Sequence, residues 1–285
     1  MTAASSRTGP VLPATASLPY EQKLALLRQR LAALPGAVVA FSAGVDSTML
    51  LHACRAALGD RTVAVTADSP SLPRAELAEA EALARQLSVR HVVLPTDELS
   101  RPGYRQNAGD RCYHCKHELF VTVAKRRADV APADWPVVYG AITDDLGDHR
   151  PGQKAATEHG VLAPLVDAGF AKADVRRYSR DVGLATADKA SFACLSSRVP
   201  YGTPIDAGVL QKIERAEQVL REHGLRQFRV RHHGDVARIE VAPEELERAF
   251  GLREVLFAGV RAAGYAFVAL DLVGYRSGAL NELLD

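Results

Sequence analysis

An apolar run that stops at small residues constrains this chain more than anything else in it. Ala37-Val38-Val39-Ala40-Phe41 shows no polar alternation, which suits a strand buried on both faces of a parallel sheet. It breaks at Ser42-Ala43-Gly44, and a helical pattern then carries on through Met49, Leu50 and Leu51. Strand, short loop and helix in immediate succession are the start of a βαβ unit.

The unit recurs, with strands expected at residues 62–66, 91–94 and 137–139 and helices at 73–87 and 113–127, after a leading helix over 20–34. This alternation predicts an α/β fold with a doubly wound, mainly parallel sheet and ligands at the carboxyl ends of its strands. From residue 144 to 200 the pattern loosens, apart from a helix near 172–182. Past Tyr201 the order becomes helix 208–223, strands 227–231 and 236–241, helices within 243–263 and strand 266–270. That is a smaller C-terminal α+β domain with adjacent antiparallel strands. The expected organisation is a disordered leader over 1–19, a nucleotide-type domain over 20–200 and a small domain over 201–285.

Hydrophobic residues make up 47% and charged ones 24% of the 285, with a net charge of +1. Such a chain can bury a core and lacks the basic excess of a dedicated nucleic-acid binder. No segment approaches the roughly 18 uninterrupted apolar residues of a membrane span, and residues 1–19 hold no signal-peptide core, so the expected location is the cytoplasm. Four cysteines are too few for a disulfide scaffold, and Cys112-x-x-Cys115 in a reducing compartment points to metal or redox chemistry.

Ser42-Ala43-Gly44-Val45-Asp46-Ser47-Thr48 sits where backbone N–H groups and the positive end of a helix converge, a natural place for phosphate. The Ser42, Ser47 and Thr48 hydroxyls can add donors. No Gly-Lys-Ser/Thr follows, so this is not the lysine-containing phosphate loop, and a plain tight turn is the competing reading. The segment resembles the Ser-Gly-Gly-x-Asp-Ser loop of the ATP pyrophosphatase (PP-loop) superfamily, which cleaves ATP to AMP and pyrophosphate. The resemblance implies an adenine nucleotide alpha hydrolase-like fold for 20–200, with Ser42, Gly44, Val45, Asp46 and Ser47 at the nucleotide and Asp68 and Ser69 placed around it. Ala43 departs from that pattern, and its methyl is harmless only if the local φ is negative.

Arg111-Cys112-Tyr113-His114-Cys115-Lys116 opens a helix, and Ala193-Cys194-Leu195-Ser196-Ser197-Arg198 precedes the second domain. With the Ser42 loop, Arg150-Pro151-Gly152 and Tyr201-Gly202-Thr203-Pro204, this set resembles the LarE family of sulfur transferases from about Tyr20 to the end. The resemblance implies a pyridinium dicarboxylate mononucleotide substrate and a role in biosynthesis of the nickel-pincer nucleotide. A carboxylate is adenylated, because an anion without a leaving group is a poor electrophile, and a sulfur nucleophile then displaces AMP. In one branch of the family the cysteine matching Cys194 gives up its own sulfur and is left as dehydroalanine. Cys112 and Cys115 resemble the branch in which three cysteines, here Cys112, Cys115 and Cys194, hold a [4Fe-4S] cluster with one iron open to carry a sulfide. A zinc site using the same cysteines with His114 or His117 is the alternative, and Cys54 reads as a core residue.

Mg2+ would accompany the departing pyrophosphate, with Asp46 its first candidate ligand and Asp144 and Asp145 at the right end of the sheet. Arg229 and Arg231 alternate on one strand face, and by resemblance Glu217, Arg229, Arg231, Glu240 and Arg276 match positions near the sulfur site, some supplied across a subunit contact of a homo-oligomer. Taken singly, each reads as an exposed surface charge. Arg198 either depresses the Cys194 thiol pKa or covers apolar surface with its stem, and His232 and His233 read as solvent-facing. A tRNA thiolase and an amide-forming synthetase of the same superfamily are the alternative enzymes; a nucleotide-sensing or metal-carrier module is the non-enzymatic one.

Overall fold

A computed structural model describes residues 12–147, 151–190 and 193–276. The described residues fall into two compact units, one drawn from Met1–Ala67, Ala75–Leu94 and Leu119–Lys189, the other from Asp68–Arg74, Pro95–Glu118 and Ala190–Asp285. Of the expected leader, residues 1–11 lie outside the described chain, and Ala14–Ser17 forms a 3-10 turn.

In chain order the main elements are α1 (Tyr20–Ala32), β1 (Ala37–Ala40), α2 (Val45–Leu58), β2 (Thr62–Asp68), α3 (Arg74–Gln86), β3 (Arg90–Pro95), α4 (Pro102–Arg105), α5 (Arg111–Lys125), α6 (Arg127–Val130) and β4 (Val137–Tyr139). There follow α7 (Pro151–Glu158), α8 (Pro164–Asp167), α9 (Lys172–Asp181), α10 (Ala207–Glu222), β5 (Phe228–His233), β6 (Val236–Val241), α11 (Leu246–Gly251), α12 (Arg253–Ala262) and β7 (Phe267–Leu270).

The first unit is built on a sheet of order β3-β2-β1-β4, with β1 parallel to both β2 and β4. Ala37, Val38 and Val39 of β1 are wholly buried, as the unbroken apolar run requires of a central parallel strand. Helices flank the sheet, and Leu27, Leu31, Leu50, Leu51, Leu83 and Phe170 share one core. Each such side chain contributes roughly 1.5–3 kcal/mol by leaving water. Cys54 lies in this core with its thiol pKa pushed up to about 12 by burial, as the sequence predicts of a packing residue.

In the second unit β5 and β6 form an antiparallel hairpin, and β7 adds parallel to β6. The sheet packs beneath α10 and α12 around Leu220, Phe228, Val230, Ile239, Leu256 and Val260. A separate cluster gathers Tyr104, Leu195, Val199, Ile205, Leu210 and Ile213, with Cys115 packed on it. His232 corrects the sequence reading: it is buried and its Nδ1 lies 3.1 Å from the Tyr265 hydroxyl, because β5 runs on to His233 and period two turns His232 inward with Phe228 and Val230. Among the described residues no helix is long and apolar enough to cross a membrane.

Candidate functional site

The loop from Ser42 to Thr48 belongs to the first unit. Phe41 ends β1 by donating its N–H to the Val65 carbonyl, and Gly44 caps α2 in extended conformation without any side-chain cap bond. The first-turn N–H groups of α2 are thus left for an anion. Ser47 braces the loop from inside: its Oγ accepts the Ser42 N–H at 3.3 Å, lies 3.1 Å from Ser42 Oγ and donates to the Gly44 carbonyl at 3.2 Å. Gly140, one residue past β4, presses its backbone against this turn; a Cβ there would stand 2.9 Å from Ser47 N. Thr48 departs from the expected set of hydroxyl donors, being fully buried with no hydrogen-bond partner for its Oγ1 among the described residues. Ala43 has φ 55°, so the condition under which its methyl is harmless is not met.

Two lysines that the sequence reading did not single out stand at the loop. Lys172, the first residue of α9, places Nζ 2.7 and 2.6 Å from the two oxygens of Asp46, while its backbone N–H donates to Asp144 Oδ2 at 2.9 Å. Asp144 is therefore tied to the loop through Lys172, whereas Asp145 accepts the Ile142 N–H at 3.1 Å. Lys189 donates to the Ala43 carbonyl at 3.2 Å and pairs with Glu76 and Glu79. Sequence spacing carried no signal for either lysine, since both arrive from more than 120 residues away in the chain.

The cysteines belong to the second unit. Cys112 and Cys115 sit one helical turn apart at the start of α5, on one face. Cys115 is half-buried; burial, then the Glu98 carboxylate and Cys194, drives its thiol pKa well upward. Cys112 is exposed as a residue, yet dense surroundings strip hydration from its sulfur and, with Cys194 nearby, raise its thiol pKa too. The three thiols thus share one electrostatic neighbourhood. Among the described residues no three Cys, His, Asp or Glu side chains stand in metal-holding geometry. His114 meets Asp110 at 3.4 Å and His117 stacks on Tyr113.

What fixes the Cys194 segment is a lattice of buried polar groups. Arg111 donates to the Asn107 side chain and to the Ser196 carbonyl, and Asn107 Nδ2 donates to the carbonyls of Val199, Pro200 and Thr203. The Tyr104 hydroxyl lies 2.6 Å from Ser196 Oγ, and Leu195 N–H donates to the Ser71 carbonyl. Arg198 grips Glu217 with Nε and Nη2 and the Ala193 and Cys194 carbonyls with Nη1, so it holds the cysteine's backbone and is no mere apolar cover. Arg231 pairs with Glu240 and donates to the Ser197 carbonyl at 2.9 Å.

Glu217, Arg229, Arg231 and Glu240 are all buried, which corrects their reading as exposed surface charges; Arg276 is exposed. The Arg229 guanidinium falls to about 10 because it is desolvated and lies beside Arg198. Arg198, Arg229 and Arg231 thus lie in one buried cluster with Glu217 and Glu240, which Arg238 joins by meeting Glu240 at 3.0 Å. Asp68 pairs with Arg74 at 2.6 Å, and Ser69 Oγ lies 2.8 Å from Ser71 Oγ; both belong to the second unit with the cysteines. Arg150 of the family motif lies outside the described residues.

No family model matches the chain. It is 41% identical over 267 residues to an uncharacterized protein of Synechocystis sp., spanning 93% of this chain and 98% of that protein. Identity is 34% over 263 residues to the pyridinium-3,5-bisthiocarboxylic acid mononucleotide synthase of Lactiplantibacillus plantarum, spanning 92% and 95%. An uncharacterized protein of Methanocaldococcus jannaschii is 27% identical over 244 residues, spanning 84% and 90%.

Proposed function

The chain belongs to the LarE family, that of the pyridinium-3,5-bisthiocarboxylic acid mononucleotide synthases, and on that premise we propose that it is an ATP-dependent sulfur transferase. It adenylates a carboxylate of a pyridinium dicarboxylate mononucleotide and converts it to a thiocarboxylate, in biosynthesis of the nickel-pincer nucleotide. The observation that carries this reading is 34% identity over 92% of the chain to a synthase of that kind, in a chain whose α2 begins with uncapped N–H groups.

In the adenylation step a substrate carboxylate oxygen attacks the α-phosphorus of ATP and pyrophosphate leaves. Ser42, Gly44, Val45 and Ser47 hold its phosphates, Asp46 would hold the Mg2+ that neutralises them, and Lys172, paired with Asp46, brings a positive charge to the loop. Asp145 completes the nucleotide set within this unit. The acyl carbon, now carrying AMP as leaving group, is open to a sulfur nucleophile. Glu217, Arg229, Arg231, Glu240 and Arg276 receive the anionic substrate, the burial of the first four suiting a site wall better than a solvated face. Arg198 keeps Cys194 in place through its carbonyl and is the residue that acts with it.

Cys112, Cys115 and Cys194 are the thiols that would hold a [4Fe-4S] cluster, which when bound supplies an iron able to carry a sulfide. Thiols are the donor type such a cluster takes and the fourth cysteine, Cys54, is sealed in the other unit's core, although the three do not stand in metal-holding geometry here. The protein is read as a cytoplasmic homo-oligomer acting on a small molecule.

The test is pyrophosphate release from ATP on adding a carboxylated pyridinium mononucleotide, tRNA, or ammonia with a carboxylic acid. Release and thiocarboxylate formation with the pyridinium nucleotide alone is expected; release only with tRNA or ammonia overturns the substrate class. Anaerobic purification should return iron and sulfide from the wild type and neither from Cys112→Ala. Zinc with no visible absorbance would discard the cluster.

A further inference from the structure

We propose that Lys189 is the positioning residue that sets the phosphate loop in its receiving conformation, an inference that rests on the reading of this loop as a nucleotide site. Ala43 is held at φ 55°, a backbone region that costs an L-residue roughly 1–2 kcal/mol. Such a conformation persists only where its surroundings over-determine it. On one side the Ala43 methyl is sealed in the core. On the other, its carbonyl accepts from Lys189 Nζ at 3.2 Å.

Lys189 is itself fixed. Its ammonium lies 2.9 Å from Glu76 and 2.8 Å from Glu79, with the Lys189 and Glu76 side chains only 17% and 6% exposed. Its ammonium donates to the Glu76 carboxylate and the Ala43 carbonyl and is neutralised by two carboxylates, so Lys189 acts on the loop by holding its carbonyl and not by capturing phosphate. A trans peptide points its C=O and the following N–H in opposite directions. Pinning the Ala43 carbonyl on Lys189 therefore aims the Gly44 N–H away from Lys189 and fixes the donor that leads into the uncapped first turn of α2. Without the lysine, the peptide between Ala43 and Gly44 is free to rotate towards a less strained orientation, and that donor is lost to the anion.

The sign of one substitution separates this from simple charge. Glu76→Gln removes a negative charge near the loop, which on electrostatics alone tightens phosphate binding. If Glu76 serves to anchor Lys189, the same change loosens the lock and weakens binding by about threefold. Calorimetric titration of the full chain with pyrophosphate, a non-hydrolysable ATP analogue and adenosine reads both. Lys189→Met is expected to weaken the first two at least about tenfold and leave adenosine unchanged. Unchanged or tighter pyrophosphate binding in Glu76→Gln, which keeps the lysine and so tolerates folding, overturns the proposal, as does equal loss of adenosine. Wild-type protein that binds neither phosphate ligand overturns the nucleotide reading itself, an outcome visible before any variant is made.

Discussion

Arg198 and Glu217 meet as a two-pronged ion pair, Nε to Oε1 at 2.8 Å and Nη2 to Oε2 at 2.9 Å, with side chains 1% and 5% exposed. Glu217 Oε1 also accepts the Val230 N–H, so one carboxylate joins the cysteine segment to β5. Removing one partner strands the other charge out of water, at a cost of roughly 3–5 kcal/mol. Glu217→Ala should lower the unfolding free energy in urea by about that amount, and Arg198→Met/Glu217→Leu should recover part of it. A loss below about 1 kcal/mol in the single variant would mean the pair is wetter than its geometry implies.

Ala43 shows how close opposing terms can run. Glycine there relieves roughly 1–2 kcal/mol of left-handed strain, gives up about 0.8 kcal/mol of buried methyl, and adds about 0.4–1 kcal/mol of unfolded-state freedom. Ala43→Gly should therefore change stability by less than about 1 kcal/mol, while Ala43→Val, branched and in a sealed slot, should cost at least about 2 kcal/mol. Denaturant midpoints of the two variants decide it; a well-tolerated valine would contradict the backbone assignment.

Acid should weaken the fold. His52 beside Tyr178, His91 beside Thr66 and His232 beside Tyr265 all have pKa values held below 6.5 by burial, which disfavours the imidazolium. A depressed folded-state pKa gives stability that is present above the unfolded value and lost as pH falls through the folded one. Melting temperature should be flat between about pH 7 and 8 and decline below about 6.5. Replacing His91 with Gln should flatten the decline; an unaltered slope would assign the acid response to other groups.

Strand β1, the loop and α2 were legible because each obeys a local rule: an unbroken apolar run, small residues, then a 3.6 period. The cysteine pair was legible for the same reason, being one helical turn apart. What could not be read were partners supplied from far along the chain. Lys172 and Lys189 reach Asp46 and Ala43 across 126 and 146 residues. Burial of Arg229 and Arg231 was missed because period two reports which side chains share a face, and says nothing of whether another segment covers that face, as Ser197 does here.

Gly140 offers the sharpest test of the loop's architecture, because its missing side chain is replaced by another part of the backbone. A Cβ there would stand 2.9 Å from Ser47 N and 3.0 Å from the Asp46 carbonyl carbon, and neither atom can yield without moving the first turn of α2. Gly140→Ala should therefore leave the protein folded, since β4 keeps its pairing with β1, but abolish pyrophosphate binding by displacing the N–H groups of that turn. Gly251→Ala is the matched control, for nothing lies within 4 Å of its added methyl. Calorimetry on both proteins should show binding lost in the first and intact in the second. Full binding in Gly140→Ala would mean the anion does not use the start of α2 at all.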